Sequence, residues 1–197
     1  MNDPQIRKAF KTQFLKRYIE DNNTLVIDEF ALGLGSARID IGIINGTLNG
    51  YEIKSDNDTL KRLQNQRNVY NSIFDYVTLI VGYKHAFNAF KIIPEWWGVK
   101  LAHIDKKGIV HISNARSKKK NPSNDILSIA KLLWRNEALG ILEEIGFSRG
   151  FRSKTRDIIC EHLVQVADRG YIHQKVCEKL KLRENWRSDL LRNSNDD

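Results

Sequence analysis

Asp40 and the triplet Glu52-Ile53-Lys54 are the residues whose types and spacing could do chemistry. A lone Glu-x-Lys means little: each charged type makes up roughly 6% of residues, so a chain of this length contains one by chance about half the time. Its structural context decides. On a strand, residues i and i+2 share a face, so Glu52 and Lys54 point together while Tyr51 and Ile53 point into a core. Asn45-Gly46-Thr47 supplies turn chemistry before this strand, and Ala37, Ile39, Ile41 and Ile43 alternate with other residues on the strand before the turn. A two-residue Asn45-Gly46 loop would set Asp40 against Tyr51 and mix polar with apolar faces. A loop centred on Gly46 instead pairs Ile44 with Leu48 and sets Asp40 across from Glu52, their Cβ atoms about 5 Å apart. Two carboxylates that close repel unless one is protonated or a cation lies between them; a hard divalent ion such as magnesium takes oxygen ligands and keeps several waters. Such a metal would lower the pKa of a bound water and neutralise phosphate charge, and Lys54 would orient that water or stabilise the developing oxyanion. The alternative reading of the same residues is a solvated hairpin face on which Asp40 and Glu52 pair with Arg38 and Lys54.

These residues need a sheet to hold them. Residues 4–21 place Ile6, Phe10, Phe14 (or Leu15) and Tyr18 at helical spacing, after a proline suited to a first turn. Residues 25–30 read as a strand that ends at Gly33 and Gly35, and the hairpin follows. A helix capped by Asp56 or Asp58 comes next, with Leu60, Leu63, Tyr70, Ile73 and Phe74 as its inner stripe. Residues 76–81 read as a buried strand, 85–90 as a short helix, and 96–103 and 108–112 as two more short strands. The expected class is α/β: an α-β-β-β-α-β core over residues 1–113, a basic linker at 114–124, and a helical region at 125–197 packed on the core. In that region Ile126, Ile129, Ala130, Leu133 and Trp134 form one apolar face, Ile158, Ile159, His162, Leu163 and Val166 another, and a last helix over 172–182 precedes a polar tail.

Asp40 followed by Glu52-Ile53-Lys54 in this element order resembles the PD-(D/E)XK nuclease superfamily, that of many restriction endonucleases and repair nucleases. The resemblance implies a restriction-endonuclease-like core with a mixed sheet, magnesium or manganese held by Asp40, Glu52 and the Ile53 carbonyl, and Lys54 assisting the attacking water. Gln66-Arg67-Asn68-Val69-Tyr70 resembles the Gln-x-x-x-Tyr motif of the superfamily's exonuclease branch, which implies that Gln66 and Tyr70 help hold the site and the DNA. Without that context Gln66 reads as surface and Tyr70 as core. The proline of the motif's name is Ile39 here. An additional acid falls to Glu20 or Glu29; Glu29 is preferred for its place near the end of the first strand, although strand alternation also allows it to be a structural partner of Lys54. Gly35-Ser36-Ala37-Arg38-Ile39-Asp40, Gly50-Tyr51-Glu52-Ile53-Lys54-Ser55 and Pro94-Glu95-Trp96-Trp97-Gly98 are further similar to a bacterial family of short proteins named only after a locus tag.

The second basic feature runs from Asn114 to Arg156, with ten basic residues against four acidic ones, most of the chain's formal charge of +8. Arg149, Arg152, Lys154 and Arg156 enter a helix start, where cations and backbone amides can meet a phosphate, and Lys118, Lys119 and Lys120 mark the linker as a second place for nucleic acid. The 41% hydrophobic and 28% charged composition excludes disordered and collagenous classes. Cys160 and Cys177 lack paired-thiol spacing and read as buried thiols, the five histidines show no ligand spacing, and one of Trp96 and Trp97 is expected in the core. No phosphate-binding glycine loop, nucleophile elbow or dinucleotide fingerprint occurs. With no apolar run near membrane-span length, the expectation is a cytoplasmic, metal-dependent phosphodiesterase acting on DNA. A non-cleaving nucleic-acid-binding or partner-recruiting protein of the same fold is the alternative, and a homodimer or a partner protein stays open.

Overall fold

The computed structural model describes residues 1–32 and 37–183; Gly33 and Gly35, expected to end the first strand, and the polar tail from residue 184 lie outside the described residues. Helix α1 (Asp3–Phe10) opens on a capping box, the Asn2 side chain accepting the Gln5 amide at 3.1 Å and the Gln5 side chain accepting the Asn2 amide at 2.9 Å. A π-helical turn (Lys11–Leu15) then leads into α2 (Lys16–Ile19). That turn inserts one residue into the apolar spacing, so Leu15 rather than Phe14 follows Ile6 and Phe10 into full burial.

Strands β1 (Leu25–Leu32), β2 (Ala37–Ile44), β3 (Leu48–Lys54), β4 (Tyr76–Gly82), β5 (Gly98–Ile104) and β6 (Val110–Arg116) lie side by side in sequence order. The first three form an antiparallel meander. Parallel pairing of β3 with β4 and of β4 with β5 is made through α3 (Leu63–Ile73) and α4 (Tyr83–Ile92), and β6 returns antiparallel to β5. The result is a mixed α/β fold with a six-stranded mixed sheet. The hairpin register is the one that the face pattern selects: Ile44 pairs with Leu48 and Ile41 with Tyr51.

Apolar side chains cover both faces of this sheet. On one, Ile6, Phe10 and Leu15 pack on Ile41, Ile43, Tyr51, Ile53 and Ile80. On the other, α3 and the helices α5 (Ile126–Ala130), α6 (Arg135–Glu144), α7 (Arg156–Val166) and α8 (Arg169–Leu182) share one core with Ile27, Phe30, Ile39, Leu79 and Val81. Ile39 and Ile41 thus belong to different clusters, which corrects the uninterrupted alternation read along β2. The break falls at Asp40, and Glu29, which the register sets opposite it on β1, has a left-handed φ of 52°. Such a residue turns the strand's phase over. Paired Gly42 and Gly50 leave room beside the break, since a Cβ on Gly42 would lie 2.7 Å from the Phe30 ring and one on Gly50 2.4 Å from Ile39.

Two expected boundaries move. The helix after the hairpin starts at Leu63, not at Asp56 or Asp58: the Asp58 carboxylate closes a turn by accepting the Ser55 amide at 2.7 Å and its hydroxyl at 2.6 Å, and Arg62 takes the cap position. The boundary after residue 113 falls inside β6, and the linker is fixed to the core. The Lys119 amide donates to the Trp96 carbonyl, the Asn121 amide to the Asp75 carbonyl, and the Asn121 side chain to the carbonyls of Asn71 and Phe74. Both cysteines are buried and free, and Trp97 is the core member of its pair.

Asp75 ties this segment to α8. Its carboxylate accepts the Leu48 amide at 2.8 Å, the Asn124 side chain at 3.1 Å and His173 Nε2 at 2.7 Å. The hydrogen bond to Asp75, then that to Cys177, lifts His173 to about 10. Burial works against the Asp75 charge, but hydrogen bonds from His173 and Leu48 hold it below the usual carboxylate value. A raised imidazole contributes stability fully present below its ordinary 6.5 and lost as pH rises through about 10; the lowered carboxyl contributes stability that is lost as pH falls through its folded value. His173→Gln is therefore expected to lower stability by about 1.5–3 kcal/mol at neutral pH and to flatten the decline between pH 6.5 and 10, as followed by urea unfolding across that range.

Candidate active site

Beyond the Ile41–Tyr51 pair the β2–β3 ladder stops, whereas β1 and β2 stay paired out to Leu32 and Ala37. The meander forks where Asp40 faces Glu52. The Asp40 Oδ2 atom accepts the Ile53 amide at 2.6 Å across the fork, and Oδ1 accepts from Arg7 Nη2 at 2.8 Å. Arg7 Nη1 also donates to the Asp40 carbonyl at 3.0 Å. Asp40 is thereby fixed from both the sheet and α1.

Glu52, only 2% exposed, accepts from Lys54 Nζ at 2.6 Å and Gln66 Nε2 at 2.8 Å on Oε1. Its Oε2 lies 2.7 Å from the Tyr70 hydroxyl, which is also 2.8 Å from the Arg38 carbonyl, so one proton serves one acceptor at a time. Positions 66 and 70 are one helical turn apart on α3 and face the sheet together. Both residues of the Gln-x-x-x-Tyr spacing therefore meet the same carboxylate. Burial, then the Glu52 charge, raises the Tyr70 phenol far above its ordinary value and keeps it a donor.

An open cavity of about 630 Å³ gathers Asp40, Glu52, Ile53, Lys54, Gln66 and Glu29 on its wall, a volume within the range of small-molecule and cofactor sites. Burial, followed by the charge of Glu52, lifts the Asp40 carboxyl to about 7, against the opposing pull of the Ile53 amide and Arg7. Each carboxylate has a cation beside it, Arg7 for Asp40 and Lys54 for Glu52, and the hard oxygen donors themselves are of the kind a divalent cation takes. Among the described residues no group of three or more His, Cys, Asp and Glu side chains is placed to hold a metal. The contact that Ile53 makes with Asp40 is through its amide.

Of the two candidate additional acids, Glu29 lines the cavity, and its carboxylate meets Arg7 Nη2 at 2.7 Å and Arg38 Nε at 2.9 Å. It does not pair with Lys54, because the left-handed backbone at Glu29 carries the side chain outward, where it is 42% exposed. Glu20 is exposed and lies 3.8 Å from Lys16. Arg7 was not legible as part of the site. Its only local signal is Asp3 one turn earlier, 3.3 Å away, which reads as an ordinary helical ion pair; contact with β2 needs the tertiary placement of α1.

The basic residues separate into two places. Arg149, Arg152, Lys154 and Arg156 lie on the turn into α7, all exposed except the half-buried Arg156. Arg135 braces that turn by donating to the carbonyls of Lys154, at 2.9 Å, and Arg152. Lys118, Lys119 and Lys120 do not act as one patch. Lys118 turns into a cavity beside α2, Lys119 is exposed, and Lys120 lines another cavity with Asp75 and His173.

Fold and site together define a mixed α/β protein whose sheet forks around two carboxylates, a buried lysine and a glutamine-tyrosine support. The chain belongs to the Bacteriophage P4 protein cII family, which matches residues 2–196. It is 36% identical over 78 residues to Protein cII of Enterobacteria phage P4, a stretch that covers 40% of this chain and 30% of that protein. The chain therefore spans less than a third of that relative's length. No solved structure matches the chain. No helix among the described residues is long and apolar enough to cross a membrane.

Proposed function

We propose that the protein is a metal-dependent nuclease of the PD-(D/E)XK kind, with a restriction-endonuclease-like core, acting on DNA. The convergence of Asp40, Glu52, Lys54, Gln66 and Tyr70 on one forked strand pair carries this reading. In it Asp40, Glu52 and the Ile53 carbonyl hold magnesium or manganese, whose chemistry is to acidify a bound water and neutralise phosphate charge. Lys54 supplies a fixed ammonium beside the attacking water. Gln66 and Tyr70 keep Glu52 in one orientation, and Glu29 with Arg7 steadies Asp40. The test is a cleavage assay on single- and double-stranded DNA and RNA with either metal, comparing wild type with Asp40→Ala. Cleavage by wild type alone supports the reading; equal activity in both proteins rejects it.

One observation favours the alternative of a nucleic-acid-binding or partner-recruiting protein that does not cut. Every carboxylate oxygen of Asp40 and Glu52 already has a protein donor within 2.8 Å. Binding without cleavage under both metals would select it. Under either reading the turn into α7 meets phosphates. Neutralising Arg149, Arg152 and Lys154 together is expected to weaken binding alike for all sequences and to lower the salt slope by about 0.9 per lost duplex contact, or about 0.7 on single strands. An unchanged slope in fluorescence anisotropy titrations would remove that turn from the interface.

A further inference from the structure

Three cations not committed to a backbone carbonyl converge beside α2 with no acid among them. Arg17 of α2, Lys100 of β5 and Lys118 line a cavity of about 230 Å³ with Phe14, Tyr51 and Asn114, and no carboxylate forms its wall; a fourth cation, Arg116 of β6, also lines it but donates to the carbonyls of Trp97 and Pro94. None of its residues lines the candidate active site. Among the described residues none of the three cations makes an ion pair. Lys100 Nζ sits over the Phe14 ring at 4.1 Å, Lys118 Nζ over the Tyr76 ring at 4.8 Å and on Asn49 Oδ1 at 2.5 Å, and the Arg17 guanidinium over Tyr18 at 4.7 Å. Aromatic faces and an amide hold the cations in place without neutralising them.

Such an arrangement is costly by itself. Burial, then the charges of Arg17 and Lys100, bring the Lys118 ammonium down to about 8, and burial, then Arg17, lowers Lys100 too. A dianion would relieve both the desolvation and the mutual repulsion. The volume, about 230 Å³, is that of roughly eight waters at about 30 Å³ each, room for a phosphate and part of its sugar but not for a folded peptide.

We propose that this cavity is a binding site for a phosphate monoester, carried by a mononucleotide or by the end of a nucleic-acid strand. The site is independent of cleavage, so its test runs in EDTA by isothermal titration calorimetry. The probes are inorganic phosphate, adenosine 5′-monophosphate, and one oligodeoxynucleotide with either a 5′-phosphate or a 5′-hydroxyl. Saturable binding of the mononucleotide assigns the site to a free ligand. A preference of about tenfold or more for the phosphorylated strand, without mononucleotide binding, assigns it to strand ends; about tenfold corresponds to 1.4 kcal/mol. Lys100→Met with Lys118→Met is expected to abolish the effect, while Lys118→Arg keeps it, and circular dichroism checks that each variant is folded. If no probe binds, or if the double substitution leaves binding unchanged, the proposal is overturned.

Discussion

Lys54→Met is expected to lower cleavage by about 10²–10³-fold while leaving DNA affinity within about twofold. The ammonium is 8% exposed and held 2.6 Å from Glu52, so it is presented to the cavity in one place and is not a mobile surface charge. A single fixed cation is a small share of the phosphate contacts that bind DNA, but a large share of what stabilises charge developing at one phosphorus. Methionine keeps the stem's packing but leaves the buried Glu52 charge with only the neutral donors Gln66 and Tyr70. A stability loss of about 3–5 kcal/mol accompanies the change, and circular dichroism checks that the variant is folded. Single-turnover cleavage and anisotropy binding on the same substrate separate the two effects. Equal losses in both would give Lys54 a binding role.

Glu52 carries the other large effect, and two substitutions divide it. Glu52→Ala leaves Lys54 buried without a counter-charge and removes the acceptor of Gln66 and Tyr70, so a loss of about 3–5 kcal/mol in stability is expected. Glu52→Gln keeps the shape and a carbonyl acceptor, and a cost of about 1–3 kcal/mol follows from its mismatched donors. If Glu52 holds the metal, the glutamine variant still loses manganese affinity by more than the 10–100-fold typical of residues that only orient a ligand. Calorimetric titration of manganese into the metal-free protein decides this. Wild-type affinity in Glu52→Gln would move the cation elsewhere.

The hairpin and the meeting of Asp40 with Glu52 were legible because alternate residues on β3 obey a strict period and only one register keeps the faces apart. Gln66 and Tyr70 were legible from helical spacing once Glu52 had a face. Other features depend on distant parts of the chain. Arg7 reaches Asp40 across 33 positions, and the left-handed Glu29 follows from the bend it makes with β2, which no residue of β1 announces. The later start of α3 turned on Asp58 choosing Ser55 as its partner, since an acid before a helix can serve a turn or a cap with equal ease. The charge run at Lys118, Lys119 and Lys120 misled for a related reason: successive residues after a strand point in different directions, so adjacency in sequence gave no shared surface.

Because the six strands stand in the order in which they are synthesised, each one leaving the ribosome finds its neighbour already there. Pairing is local, which favours quick, vectorial assembly. Asp40, Glu52, Lys54, Gln66 and Tyr70 have all been synthesised once α3 has emerged, before α5 to α8. The helices α5 to α8, which complete the core on one face of the sheet with α3, follow later. Throughout that interval the nascent protein carries its complete carboxylate-lysine cluster on a sheet whose second core still lacks the apolar side chains of those helices.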